Sequence, residues 1–256
     1  MMLKVSSYNI NGVRAAHRKG FIDWVNQSNP DIICIQEMRA DEAQLPEEIK
    51  ELDYQQYLVS AEKKGYSGVA IFSKKDAQEV KVGIGVDWID AEGRVITAEY
   101  DKFRLVSAYF PSGTTGDVRQ EMKMKFLSDF KEWSTQFIDD PKPTIICGDF
   151  NICHLEIDIH NPEKQQKTSG FLPEERQWVT DFIDTGFEDV FRKIHPTAKD
   201  LYSWWSYRAG SKGKNKGWRI DYQMGTPEIA SNAKEAVIEK EWDISDHAPV
   251  SIVYDI

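Results

Sequence analysis

The chain has 256 residues, is 41% hydrophobic and carries a formal net charge of −10, with no Pro/Gly/Ser-rich linker or break in composition, which favours one domain over 1–256. No apolar run approaches the roughly 20 residues that span a bilayer, and Met1-Met2-Leu3-Lys4-Val5-Ser6 leads into a strand pattern without the segments of a secretory signal. A soluble, cytoplasmic, monomeric protein is expected, and Cys34, Cys147 and Cys153, odd in number and without Cys-x-x-Cys spacing, read as reduced packing residues.

Taken in chain order, the strand-like runs tend to stop at polar clusters. Residues 3–8 end at Asn9-Ile10-Asn11-Gly12, and 31–35 end at Gln36-Glu37. Runs at 69–72, 95–100 and 104–109 follow; the last two are separated by Asp101-Lys102, a hairpin turn that a purely parallel α/β fold rarely contains. Val118, Met122, Phe126, Phe130, Trp133 and Phe137 then recur every three to four residues, the apolar face of a helix laid on a sheet. The run 144–147 ends at Gly148-Asp149-Phe150-Asn151. A second helix begins at Pro173-Glu174-Glu175, with proline in the first turn and acids beside the positive end of the dipole. It buries Trp178, Val179, Phe182 and Ile183 before Gly186 stops it. The run 218–224 carries Arg219-Ile220-Asp221-Tyr222, and 250–254 follows Ser245-Asp246-His247. Mixed helices and strands with hairpins predict packed sheets flanked by helices rather than a Rossmann fold or a (β/α)8 barrel.

As a total, the negative charge argues against nucleic acid, because phosphate binding is driven by Lys and Arg. Its distribution reads differently. Residues 203–220 contain no acid, and Arg208, Lys212, Lys214, Lys216 and Arg219 are interleaved with Trp204, Trp205, Tyr207 and Trp218. That composition suits a surface that tracks a backbone and contacts bases, and equally a solvated loop beside core tryptophans.

Polar tips beyond buried strands are where an α/β scaffold keeps its chemistry. These clusters, together with Gly65-Tyr66-Ser67-Gly68-Val69, Tyr109-Phe110-Pro111 and Gly217-Trp218, resemble in type and order those of the exonuclease III family of AP endonucleases, within the endonuclease/exonuclease/phosphatase superfamily. The resemblance extends from Ser7 to His247. It implies an α/β fold, a four-layer sandwich of the deoxyribonuclease I type: two packed mixed β-sheets flanked by helices, with the site at one rim. The implied activity is Mg²⁺- or Mn²⁺-dependent hydrolysis of the phosphodiester 5′ to abasic sites in double-stranded DNA, with 3′–5′ exonuclease and 3′-end-cleaning activity beside it.

Hard carboxylate and amide oxygens suit Mg²⁺ or Mn²⁺, and the chain offers no His/Cys set of the zinc type. The resemblance makes Glu37 the principal metal ligand, with Asn9, Asn11, Asp149, Asn151 and Asp246 around it. On an extended backbone Asp149 and Asn151 would point one way while Phe150 turns to the core. The resemblance has Asp149 activate the attacking water and Asn151 hold the water or a phosphate oxygen; an Asx-turn would use the same two residues. Asp221 and His247 are the expected carboxylate–imidazole pair, in which the acid favours an imidazolium for the scissile phosphate. Tyr109 corresponds to the family's catalytic tyrosine.

Trp204, Trp218 and Ile220 match the wall of a pocket for an extrahelical, base-free sugar, and Gly170 a small residue that leaves it room. Arg14, Lys63, Lys64, Tyr66 and Lys167 match DNA-contacting segments, to which the loop of Lys212, Lys214 and Lys216 is added. Ser112 and Thr168 stand where relatives carry Asn, which shortens the donor's reach and bears on the balance of endonuclease and exonuclease activities. His17, His154, His160 and His195 receive no catalytic role; a structural hydrogen bond accounts for His154 as well as chemistry does. A phosphatase-type hydrolase, a nonspecific deoxyribonuclease or a DNA-binding protein without catalysis are the alternatives. The aromatic pocket and basic loop speak against the first two, the full catalytic set against the third.

Overall fold

A strand covered on both faces has no polar side to alternate with and reads as an unbroken apolar run. In the computed structural model, which describes residues 2–256, strands β2 (Ile32–Gln36), β4 (Val69–Ser73), β6 (Val95–Glu99) and β8 (Thr144–Asp149) are buried at every position. With β1 (Met2–Asn9), β3 (Gln55–Val59), β11 (Ala233–Ile238) and β12 (Val250–Asp255), two of these form a sheet of order β11-β12-β1-β2-β4-β3. The others join β5 (Glu79–Val82), β7 (Arg104–Tyr109), β9 (Glu188–Asp189) and β10 (Asp221–Gly225) in a second sheet, β5-β6-β7-β8-β10-β9. Only β1–β2 and β7–β8 are parallel pairs among the described strands.

Alternate residues serve two cores. Between the sheets Val5, Ile32 and Cys34 meet Leu105, Ile145 and Cys147. Outside the first sheet, Ile33 and Ile35 pack on helices α1 (Val13–Arg18) and α2 (Phe21–Ser28) through Val13, Phe21 and Trp24. Outside the second, Val106 and Ile146 pack on α3 (Asp117–Ser134) and α4 (Pro173–Asp184) through Phe126, Phe130, Trp178 and Phe182. The result is the expected four-layer sandwich. Polar side chains also cross between the sheets: Gln36 Nε2 donates to Ser107 Oγ at 3.2 Å, and Gln223 Nε2 to the Val5 carbonyl at 3.0 Å.

Three local expectations need correction. The buried stripe of α3 runs through Lys123, Phe126, Leu127, Phe130 and Ser134, and Val118 is 71% exposed because the first turn projects at the rim, where the preceding Thr114 and Thr115 line clefts. Ile183 of α4 is only partly buried. The run 218–224 becomes a strand only from Asp221, and Trp218 is held by single bridges to Ile159 and Trp204. The three cysteines are buried and unpaired, and no helix of the described residues is long and apolar enough to cross a membrane.

Candidate active site

Register brings the first functional side chains together. Asp149, the last residue of β8, pairs with Tyr109 on parallel β7 and with Asp221 on antiparallel β10, so three adjacent strands deliver three polar side chains in one row. Asn9 ends β1 of the other sheet, and its Nδ2 donates to Asp149 Oδ2 at 2.9 Å, tying the two rims together. Beyond the strands the chain turns sharply: Asn11, Glu37, Arg39 and Asn151 all adopt φ between 49° and 60°, a region that residues other than glycine seldom occupy. Asn151 therefore does not share an extended backbone with Asp149. It reaches the same carboxylate through an Asx-turn, donating its N–H to Asp149 Oδ1 at 2.9 Å and Nδ2 to Oδ2 at 3.2 Å, while Phe150 is buried against Phe110.

His247 lies with Nδ1 at 2.9 and 3.1 Å from the two Asp221 oxygens and Nε2 at 3.8 Å from Asp149 Oδ2. Burial works against its charge, yet Asp221 and Asp149 override it and push the imidazole up to about 10. Asp221 is in turn oriented by Ser203, whose Oγ donates to Asp221 Oδ2 at 2.6 Å. Burial, reinforced by Asp221, raises the Asp149 carboxyl to about 7 against the opposing pull of His247 and its amide donors. Burial also keeps the Tyr109 phenol protonated, with Glu37 and Asp149 adding to the effect.

Of these groups Asn9, Tyr109, Asp149, Asn151 and His247 line one cleft of about 450 Å³, whereas Asp221, bonded to His247, and Ser203, bonded to Asp221, stand outside its lining. Asn9, Asn11, Glu37, Asp149, Asn151, Asp246 and His247 form its polar end, and Trp204, Trp218 and Ile220 its apolar end. Tyr109, Ser112, Thr114, Thr168 and Ser169 supply hydroxyls. Glu37 pairs with Arg39, and Asp246 accepts from Asn11 Nδ2 at 2.9 Å and Trp204 Nε1 at 3.0 Å. Although burial opposes it, His247 and those donors hold the Asp246 carboxyl below its ordinary value. Oxygens of Asp149 and Asp221 and a nitrogen of His247 lie within 4.8 Å of one another. Asp221 lies outside the cleft lining behind its bonds to His247, whereas Glu37 and Asp246 line the cleft and are the better hard ligands; the donor set fits a divalent cation.

Trp204 and Trp218 meet edge to face with ring centroids 5.9 Å apart, and Trp204 bridges to His247, joining the apolar wall to the acid–imidazole array. Gly170 is buried behind this wall rather than lining it: at φ +96° its Cβ would come within 3.0 Å of the Asn151 carbonyl and of the Trp218 ring, so its smallness makes room for Trp218. Thr168 turns its hydroxyl to Gln165 Oε1 at 3.0 Å.

The residues expected at DNA are more dispersed. Arg14 lines a neighbouring cleft with Asn11 and Arg39. Lys63 and Tyr66 line another, which shares Tyr109 and Ser112 with the first. Lys64, Lys167 and Lys216 are exposed outside all three. Lys212 donates to the Trp242 carbonyl at 2.6 Å, and Lys214 to the Ala209 carbonyl at 3.0 Å, so two of the three loop lysines have partners within the protein. Arg219 is not part of a basic surface at all. It is fully buried between Asp158 and Asp189. His154 binds Thr180 Oγ1 at 2.9 Å, and burial lowers its pKa, the structural role.

Sequence reasoning missed Arg39, Arg94, Ser203, Lys123 and Glu175. Arg94 is buried with its guanidinium 5.0 Å from the Tyr109 ring and donates to the Tyr109 carbonyl at 2.9 Å. The one legible signal was a charge on an apolar stripe, at Lys123 and Glu175.

Residues 6–247 match the Endonuclease/Exonuclease/phosphatase family. The chain is 39% identical to an exodeoxyribonuclease of Bacillus subtilis, covering 99% of this chain and 100% of that one, and 38% identical to the DNA repair nuclease APEX1 of Danio rerio, covering 98% and 81%. Among solved structures it resembles an AP endonuclease from Archaeoglobus fulgidus, with a TM-score of 0.90 at 28% identity over 99% of this chain and 100% of that one. A 3′-5′ exonuclease from Neisseria meningitidis gives a TM-score of 0.92 at 26% identity with the same coverage.

Proposed function

Because the chain belongs to the Endonuclease/Exonuclease/phosphatase family and is a DNA repair nuclease of the exonuclease III type, we propose that it incises duplex DNA on the 5′ side of abasic sites, with 3′–5′ exonuclease and 3′-end-cleaning activity at the same cleft. The observation that carries this is the union, in one cleft, of an acid–imidazole array with an apolar wall of Trp204, Trp218 and Ile220. A bare sugar fits against such a wall, and flipping is cheapest where no base pair must be broken.

The family is divalent-metal dependent. Glu37 and Asp246 would hold Mg²⁺ or Mn²⁺, with Asn9, Asn11, Asp149 and Asn151 around it, and the cation would supply charge to the developing phosphoryl oxygens. Asp149, a base poised near neutrality, accepts the proton of the attacking water while Asn9 and Asn151 keep its carboxylate in place. His247, cationic through Asp221 and Asp149, presents Nε2–H to a phosphate oxygen. Tyr109 donates its retained hydroxyl proton to the same group. The new P–O bond forms as the P–O3′ bond breaks, and the leaving 3′ oxygen takes up a proton. Both sheets contribute to this array, so the chain acts as a single domain.

The test is a duplex carrying one tetrahydrofuran abasic analogue, incubated with Mg²⁺ and then with EDTA beside an undamaged duplex. Metal-dependent internal incision at the analogue alone is expected, with any shortening from 3′ ends alike in the two duplexes. Equal internal cleavage of both duplexes would favour a nonspecific nuclease, and cleavage of neither would favour a small-molecule phosphoesterase.

A further inference from the structure

Helices α3 and α4 each place one charged residue on a largely apolar buried stripe. Lys123 precedes Phe126, Leu127 and Phe130, and Glu175 precedes Trp178, Val179 and Phe182, at the spacing of a buried face. Both side chains are wholly buried, with Lys123 Nζ 2.6 Å from Glu175 Oε1. A buried ion pair is a poor source of stability, because the desolvation of two charges offsets most of their attraction. Its contacts point to another use.

Lys123 Nζ donates to the Asn151 carbonyl at 2.9 Å, and Glu175 Oε2 accepts from the Gly170 amide at 2.6 Å and the Leu172 amide at 3.0 Å. Gly170 lies against both the Asn151 carbonyl and the Trp218 ring. One ion pair therefore fixes the backbone of the segment that carries Asn151 and of the segment behind Trp218. Asn151 needs holding: it sits at φ 53°, and its side chain is bonded to Asp149.

We propose that Lys123 and Glu175 are positioning residues of the active site, which hold Asn151 and through it Asp149 in the geometry of hydrolysis. The proposal rests on the nuclease reading above. Neither side chain lines the cleft, so the pair acts on the rate of the chemical step and leaves DNA affinity alone.

The test replaces the pair by Lys123→Met/Glu175→Met, which strands neither charge, beside Lys123→Arg and Glu175→Gln as single changes. Urea midpoints, binding of the abasic-analogue duplex in EDTA, and single-turnover rates are measured on each. A misplaced catalytic group costs up to about 100-fold, so the double variant is expected to remain folded, bind DNA within about threefold of wild type and react about 10- to 100-fold more slowly. Lys123→Arg keeps the charge and should retain the rate. A folded double variant with the wild-type rate overturns the proposal, as does a loss of affinity equal to the loss of rate. If the double variant does not fold, the single changes decide: Glu175→Gln slowed about tenfold at unchanged affinity supports positioning, and wild-type rates in both variants overturn it. Failure of the nuclease reading would appear in the wild-type protein itself, as an intact abasic duplex. The ratio of variant to wild type on bis(4-nitrophenyl) phosphate, which has no sugar, would then still read the anchor.

Discussion

Asp149 owes its basicity to being dry: the rim that buries it raises its carboxyl to about 7, while Asn9 and the Asn151 amide keep it oriented. Asp149→Asn preserves the shape and removes the proposed proton acceptor, so single-turnover cleavage should fall about 10²- to 10⁴-fold with binding of abasic duplex retained. Because the carboxylate form is populated only above the raised pKa, wild-type activity should climb with pH through that region, and the variant should lose this ascending limb. A variant within about threefold of wild type would mean that another group activates the water. Asp149, Asp221, His247 and Glu37 were legible because each stands just past an apolar run or in a short polar cluster. Arg39 and Arg94 were not, since nothing local distinguishes an arginine that will face a tyrosine or glutamate of the cleft from one that will face water. Arg219 misled for the same reason: its burial depends on Asp158 and Asp189, 61 and 30 residues away.

At the scale of elements, the segment from Trp204 to Trp218 makes two separable contributions. Trp218→Ala opens the wall of the proposed sugar pocket, and loss of an aromatic platform of about 1–3 kcal/mol should lower the ratio of abasic to undamaged cleavage by about tenfold. A proportional fall on both substrates with a lowered melting temperature would make Trp218 a packing residue only. Within the loop, Lys216→Gln should reduce the slope of log affinity against log salt by about 0.9, one phosphate contact. Lys212→Gln should leave that slope unchanged, because its ammonium is already bound to the Trp242 carbonyl and beside Asp243. Equal effects of the two changes on slope would refute this division. Central strands were legible where both faces are buried, whereas β3, β5 and β11 escaped notice because they are edge strands with partly exposed sequences, charged in β5 and β11 and opening on two glutamines in β3. The face of α3 was misphased because its buried stripe starts on Lys123, which a hydrophobic pattern discards.

For the molecule as a whole, acid sensitivity follows from the buried cluster of Asp158 with Arg192 and Arg219. Burial opposes the Asp158 charge, but the two guanidiniums win and hold its carboxyl below its ordinary value. A depressed folded-state pKa stabilises the protein above the unfolded value of about 3.9, and that stability is lost as pH falls through the folded value. Asp158→Asn leaves the arginines short of a counter-charge and should cost about 3–5 kcal/mol near neutrality. The gap between the urea midpoints of variant and wild type should narrow below about pH 4, and a gap independent of pH would exclude the linkage. The side chains that cross between the sheets have a different consequence. Apolar contact between two slabs is nearly indifferent to a small lateral offset, because burial has no preferred direction. Gln36 on Ser107, Gln223 on the Val5 carbonyl and Asn9 on Asp149 are not indifferent, and they act as dowels through a joint that grease alone would let slide. The interior can therefore drift in composition as long as its thickness is kept. The machining tolerance of the fold is set at the dowels, and the one at the rim carries Asp149, the proposed proton acceptor.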